Sequence, residues 1–321
     1  MMRWLRSFWV RAVVTGLILT WLLRQVDGGA ALRTMVAADP WALMIVVGLV
    51  LLDRVVMIWR WLLLLRASGT PIATAAAARI FLVSSFVGSF LPAGVGGDAA
   101  RAYALGRRTA QRGAALASVA VDRILGVVAI ALMGAIGVAI YARAHPDPQV
   151  QAVATVSAAA VVVGSAALCW ADRWLRWLPA AWHGWTPVRL PLRLADGIAA
   201  YRATPRTLAS VFALSLLVQL LRIVQAYGLG LALGMTVPFS YYLVFMPIGL
   251  LMLLLPLSVS GFGLPQGVMI WLLRPLGVPD PQSLALTTLI VLSGLVGNLP
   301  GAWLYLRPSP DHAADGPVGK L

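Results

Sequence analysis

Long apolar runs recur along the chain, and two of them are stopped by the same device. Leu91-Pro92-Ala93-Gly94-Val95-Gly96-Gly97 and Leu255-Pro256-Leu257-Ser258-Val259-Ser260-Gly261 both read Leu-Pro-x-x-Val-x-Gly, 164 residues apart. Proline removes a backbone donor and glycine loosens the chain, so each motif breaks a helix within apolar surroundings. Irregular backbone at membrane depth is tolerated only where it is buried in protein or faces a cavity. Composition agrees with that setting. Of the 321 residues 60% are apolar and only 11% charged, with a mean hydropathy of +0.87, whereas soluble domains average about 25% charged. The class expected is an all-α polytopic membrane protein.

A span needs about 20 apolar residues. Six stretches meet that length: 8–26, 41–65, 114–141, 149–170, 208–233 and 284–306. Residues 25–40 read as a polar turn. The stretch 72–91 is also long enough, but crossing there would put Arg101, Arg107, Arg108 and Arg112 outside, against the positive-inside rule. A re-entrant hairpin that enters from the cytoplasm and turns back at the first motif resolves the conflict. A second, entering from outside, is expected from 241–255, the second motif and 266–273. Eighteen of the 25 bases then fall inside or at the inner boundary, Arg60 and Arg101 among them; four fall outside, and Arg54, Arg123 and Arg222 lie in the membrane. Both termini are expected in the cytoplasm of a bacterium, with residues 8–26 retained as a first span in its inner membrane.

Residues 1–307 are thus expected to form one transmembrane domain, with halves 1–146 and 147–307 each ordered span, span, hairpin, span, and inverted relative to one another. Leu52-Asp53-Arg54-Val55-Val56 precedes its echo Leu220-Leu221-Arg222-Ile223-Val224 by 168 residues. Inverted repeats with broken helices place a substrate site near the midplane. Residues 172–207 carry six arginines and four tryptophans, a mixture suited to the head-group level on the cytoplasmic side. Residues 308–321 read as a disordered tail.

Net charge is +14. In this setting it points to arginine facing anionic lipid head groups rather than to nucleic acid. The single Cys169 and the scattered His145, His183 and His312 offer no metal-binding cluster; no metal or cofactor is expected. Arg54, Arg123 and Arg222 each cost about 2.5–3.5 kcal/mol at a helix centre, so a solitary placement toward lipid is disfavoured. Asp53 and Asp122 precede Arg54 and Arg123 directly, and adjacent helical residues point about 100° apart. Cross-helix pairs are expected instead, such as Asp122 with Arg54 or Asp98 with Arg123. Such pairs could simply hold helices together. Alternatively the arginines face a cavity and grip a lipid phosphate through their planar forks. Asp98 is placed to cap a helix running to Arg108, where it would compete with a phosphate.

Three ordered motifs carry a family resemblance: Leu91-Pro92-x-x-x-Gly96-Gly97-Asp98-x-x-Arg101, Val121-Asp122-Arg123-Ile124-Leu125-Gly126, and Ser260-Gly261-Phe262-Gly263-x-x-Gln266-Gly267. With these the chain resembles the transmembrane domain of lysylphosphatidylglycerol synthases and its stand-alone, flippase-like relatives. The family's second glycine motif usually runs into Arg-Glu, where Pro265-Gln266 stands here. The soluble aminoacyl-transferase domain of full-length synthases is missing, so lysine transfer is not expected. The resemblance implies lipid flipping or export, with a likeness to the branch associated with hopanoid synthesis.

The candidate head-group residues are Arg54, Asp98, Arg101, Asp122, Arg123, Arg222 and Gln266; the candidate breaks are Pro92, Gly94, Gly96, Gly97, Pro256, Gly261 and Gly263. Three functions compete: a lipid translocator, a glycosyltransferase acting on a polyprenyl phosphate, and a non-catalytic subunit that scaffolds lipid-biosynthesis enzymes. Asp98 and Arg101 stand where the second motif has Phe262 and Pro265. Charged chemistry is therefore expected on the cytoplasmic side of the site.

Overall fold

The computed structural model describes residues 27–70, 72–91, 96–109, 112–144, 201–252 and 264–307, and the isolated positions 148, 155 and 159. All regular structure among the described residues is helical. Four helices are long and apolar enough to cross a membrane: α2 (Pro40–Ala67), α5 (Arg112–Ala144), α6 (Pro205–Ala232) and α9 (Asp280–Leu306). The expected spans 8–26 and 149–170, and nearly all of the Trp/Arg-rich segment 172–207, lie outside the described residues. The last residues of that segment form a single 3-10 turn, Tyr201–Ala203, and then begin α6.

The expected polar turn at 25–40 instead holds a short helix, α1 (Gly28–Val36). Asp27 starts it by accepting from the Ala30 N–H at 2.9 Å, and Ala-Ala-Leu sustains it. Asp39 does the same for α2, accepting from the Trp41 N–H at 2.9 Å, with Pro40 at the first helical position.

The spans α2 and α6 run antiparallel along their whole length. The Asp39 N–H meets the Ala232 carbonyl at 3.0 Å, Gln225 donates to the Leu49 carbonyl at 3.1 Å, and Arg60 donates to Ser215 at 3.2 Å. Arg54 and Arg222, which echo one another in sequence, therefore come to the middle of one crossing.

Each half also holds a pair of short helices that double back. In the first, α3 (Thr74–Phe90) returns through α4 (Gly96–Gly106); Ala77 and Phe81 share a buried cluster with Ala102 and Leu105. In the second, α7 (Phe239–Met252) returns through α8 (Leu264–Leu273), and the Tyr241 hydroxyl donates to the Leu272 carbonyl at 2.5 Å. At 1.5 Å per residue these arms span about 15–26 Å, less than a hydrocarbon core of about 30 Å. Pro92 and Gly94 in the first break, and Pro256, Gly261 and Gly263 in the second, lie outside the described residues.

The pairs are exchanged between halves. The arm α3 packs antiparallel on α9, where Arg79 donates to the Leu304 carbonyl at 2.8 Å and Asn298 to Ser89 at 2.7 Å. In matching fashion α7 packs antiparallel on α5, with Tyr141 and Tyr241 ring to ring at 5.5 Å. One glycine admits each contact. A methyl on Gly137 would collide with the Leu243 carbonyl, and one on Gly301 with the Leu82 carbonyl. These two glycines are 164 residues apart, the spacing of the Leu-Pro motifs.

Candidate functional site

Between the first hairpin and the spans α2, α5, α6 and α9 lies a cavity of about 350 Å³. Each wall is set by helical spacing. On α2, Met57 stands one turn before Arg60, with Arg54 beside it; on α6, Gln219 and Arg222 are three apart; on α5, Asp122 and Gly126 are four apart. The hairpin contributes Ser84, Ser85, Gly88 and Ser89 from α3, and Gly97, Asp98 and Arg101 from α4. Its arms close because of two glycines: a Cβ on Gly88 would sit 2.6 Å from the Gly97 Cα, and one on Gly97 would sit 3.0 Å from the Ser84 carbonyl oxygen. Gly96, beside them, opens α4.

Five arginines and three aspartates meet here in two alternating chains. In the first, Asp122 accepts from Arg60 Nε at 2.7 Å and from Arg101 Nη2 at 3.0 Å; Arg101 also donates to Asp98 at 3.0 Å, and Asp98 faces Arg123 at 3.5 Å. In the second, Asp53 lies 3.6 Å from Arg54 and 3.3 Å from Arg222. The centre of the first chain is deeply buried: the Arg101 and Asp122 side chains are only 4% and 3% exposed. Arg101 is further held between the rings of Trp61 and Phe81, 5.0 and 5.2 Å from their centroids. The outer ends differ. Arg123 and Arg222 keep 40% and 25% of their side-chain surface open.

Of the expected pairs, Asp98 with Arg123 forms. Asp122 takes Arg60 and Arg101 rather than Arg54. Arg54 and Arg60 lie six positions apart, so they leave α2 in directions about 120° apart, and the Arg60 face is the one that meets α5. Arg60 and Arg101, placed by the charge count at the inner boundary, are buried ion-pair partners. Arg54 does reach its neighbour Asp53, because a long guanidinium arm bends back across the 100° between them. Asp98 is not a cap: α4 begins at Gly96 and ends at Gly106, and the Asp98 carboxylate turns to Arg101 and Arg123. Gln266 is buried away from the cavity on α8, donating to Thr288 at 3.3 Å. Among the described residues, the second hairpin adds none to the cavity wall.

Arg60, Gln219 and Asn298 complete the cavity wall without having been singled out as site residues. A signal existed for the first. Asp53 and Arg60 are spaced i, i+7, which puts two charges on one side of a largely apolar helix. Among the described residues, several buried polar atoms of these side chains have no hydrogen-bond partner: Arg54 Nε, Asp98 Oδ2, Arg101 Nε, Gln219 Oε1 and Asn298 Oδ1. Buried polar atoms are rarely left so, and the side chains that carry them line the cavity.

The fold and this cavity define the class: an all-α, polytopic integral membrane protein with an arginine-lined chamber among its spans. Its family follows from the sequence. The family described as lysylphosphatidylglycerol synthase TM region matches residues 8–301, and the chain belongs to it. Among curated proteins, none matches the chain closely enough to name a relative.

Proposed function

We propose that this protein moves a lipid across the inner membrane of a bacterium, with the head group passing through the arginine-lined cavity while the acyl chains stay in the bilayer. One observation carries the reading. Five guanidiniums line a cavity inside a membrane fold, and two of them keep a quarter or more of their side-chain surface exposed. Arginine forks match phosphate oxygens two at a time, and at about 350 Å³ the chamber falls in the lower range of ligand clefts, about 300–1,000 Å³. That is room for a head group, not for a whole lipid. In this reading α3–α4 and α7–α8 are re-entrant hairpins opening from opposite faces, with the termini cytoplasmic. The halves 1–146 and 147–307 form the inverted repeat, and the hopanoid-associated branch is one source of substrate.

The glycosyltransferase alternative has less support. Asp98 and Asp122 would have to supply its acid–base or metal-binding group, yet each is committed to two arginines.

Arg123 is the residue to test. It is the most open of the five, and its carboxylate contact is a long one. In proteoliposomes, Arg123→Ala should abolish transbilayer movement of a fluorescent anionic lipid while the variant still elutes as a folded species. Unchanged lipid movement in a well-folded variant refutes the assignment.

A further inference from the structure

The two ion-pair chains carry a charge that nothing described neutralises, and that charge assigns a head-group class to the site. Arg60, Asp122, Arg101, Asp98 and Arg123 alternate with three cations to two anions; Arg54, Asp53 and Arg222 alternate with two to one. Both chains begin and end in arginine. Each carboxylate lies within 3.6 Å of two guanidiniums, so by formal charge no carboxylate is left over to balance the terminal arginines. One surplus positive charge therefore remains on each chain, two around one cavity.

The surplus is available where the chains are most exposed. The buried contacts to Asp122 are 2.7 and 3.0 Å, whereas the outer arginines stand 3.5 Å (Arg123) and 3.3 Å (Arg222) from their carboxylates and are the most exposed of the cluster. An unpaired charge among membrane spans is costly, so an occupant that removes both surpluses is favoured over one that removes one or adds to them. A phosphomonoester carries about −1.5 to −2 at pH 7. A phosphodiester with one charge leaves half the surplus, and a head group bearing an added ammonium cancels even that. The cavity's small volume favours a compact head.

Resting on the lipid-translocation reading, we infer that the site is matched to a lipid head group with two negative charges on phosphate, either a terminal phosphomonoester or a diphosphate. Arg123 and Arg222 each meet one of those charges. A singly charged phosphodiester or an aminoacylated head group is the poorer occupant.

The test uses the full chain in two formats. Detergent-solubilised protein is titrated with phosphatidic acid, a polyprenyl diphosphate, phosphatidylglycerol and lysyl-phosphatidylglycerol, and bound lipid is read by native mass spectrometry. Phosphatidylcholine vesicles holding the protein and a trace of each lipid in tail-labelled form report leaflet exchange. Expected is binding of the two dianionic lipids at least tenfold tighter than either of the others, with faster exchange. Arg222→Gln should cut that preference to threefold or less, a change that general loss of folding does not produce. Phosphatidylglycerol binding as tightly as phosphatidic acid overturns the charge match, and translocation survives if phosphatidylglycerol also exchanges. Tenfold preference without exchange of any lipid leaves the charge match standing and refutes translocation. No binding and no exchange refutes both.

Discussion

Asp122→Leu is the perturbation that separates the structural from the functional charges. Asp122 accepts from Arg60 at 2.7 Å and from Arg101 at 3.0 Å, and these two arginine side chains are 5% and 4% exposed. Leucine fills the carboxylate's space but leaves both guanidiniums buried without their shared anion. Removing one partner of a buried pair costs about 3–5 kcal/mol, and here one substitution strips two partners, so a loss at the upper end of that range is expected. Arg123→Gln is the control. With 40% of its side chain exposed and a 3.5 Å contact, Arg123 resembles a surface pair, worth about 0–1 kcal/mol. Reversible unfolding of both variants in mixed micelles with increasing dodecyl sulfate gives the two numbers directly. Adding Arg60→Leu to Asp122→Leu should recover about 1–3 kcal/mol relative to additivity, the usual coupling of residues in one ion-pair network. A loss under 1 kcal/mol for Asp122→Leu, or one no larger than that of Arg123→Gln, refutes the division of the cluster into a buried core and an open end.

Three other outcomes test the frame around the site. Gly301→Leu drives a side chain into the Leu82 carbonyl and should destabilise by about 1–3 kcal/mol or more, as overpacked contacts do; Gly137→Leu should match it, since it presses on Leu243 in the same way. Gly48→Ala, with nothing within 4 Å of the added methyl, should instead be neutral or stabilising by up to about 1 kcal/mol, read in the same unfolding titration. Tyr241→Phe removes the donor to the Leu272 carbonyl that ties α8 to α7 and should cost about 1 kcal/mol, with faster hydrogen exchange at the end of α8 as the local readout.

The helices were legible because membrane thickness sets their length. Residues 41–65 and 208–233 of the sequence reading became Pro40–Ala67 and Pro205–Ala232, shifted by no more than three residues at either end. The ion-pair partners were not legible, and the reason is physical. A helix whose few charges leave it on different sides, as Asp53, Arg54 and Arg60 leave α2, has no single amphipathic face to show how it is rotated. Arg54 and Arg60 point to different sides of α2, and nothing in one sequence says which side meets Asp122. The same blindness hid the ion-pair roles of Arg60 and Arg101, because a charge count weighs sign and order along the chain but not burial. Asn298 was hidden for another reason: it reaches the cavity only because Gly301, one turn further on, lets α9 close on α3.

The correspondences between the two halves lie in motif spacing and packing, and do not extend to the chemistry. At the spacing of 164 residues that relates the Leu-Pro motifs and the glycines Gly137 and Gly301, Asp122 and Arg123 correspond to Leu286 and Thr287. Those two residues are 0% and 1% exposed, and Leu286 belongs to the largest apolar cluster of the fold. Where the first half holds a charged cavity, the second is thus filled with Met269, Phe245 and Leu286. The filling explains why Gln266, alone among the candidate site residues with described side chains, lies away from the chamber: its helix faces a packed core. Buried polar side chains, Gln266, Ser283 and Thr287, are interspersed in that packing. On the translocation reading proposed above, a head group held by Arg123 and Arg222 leaves by displacement of the α3–α4 hairpin from α5, across the contacts of Asp98 and Arg101 that join them.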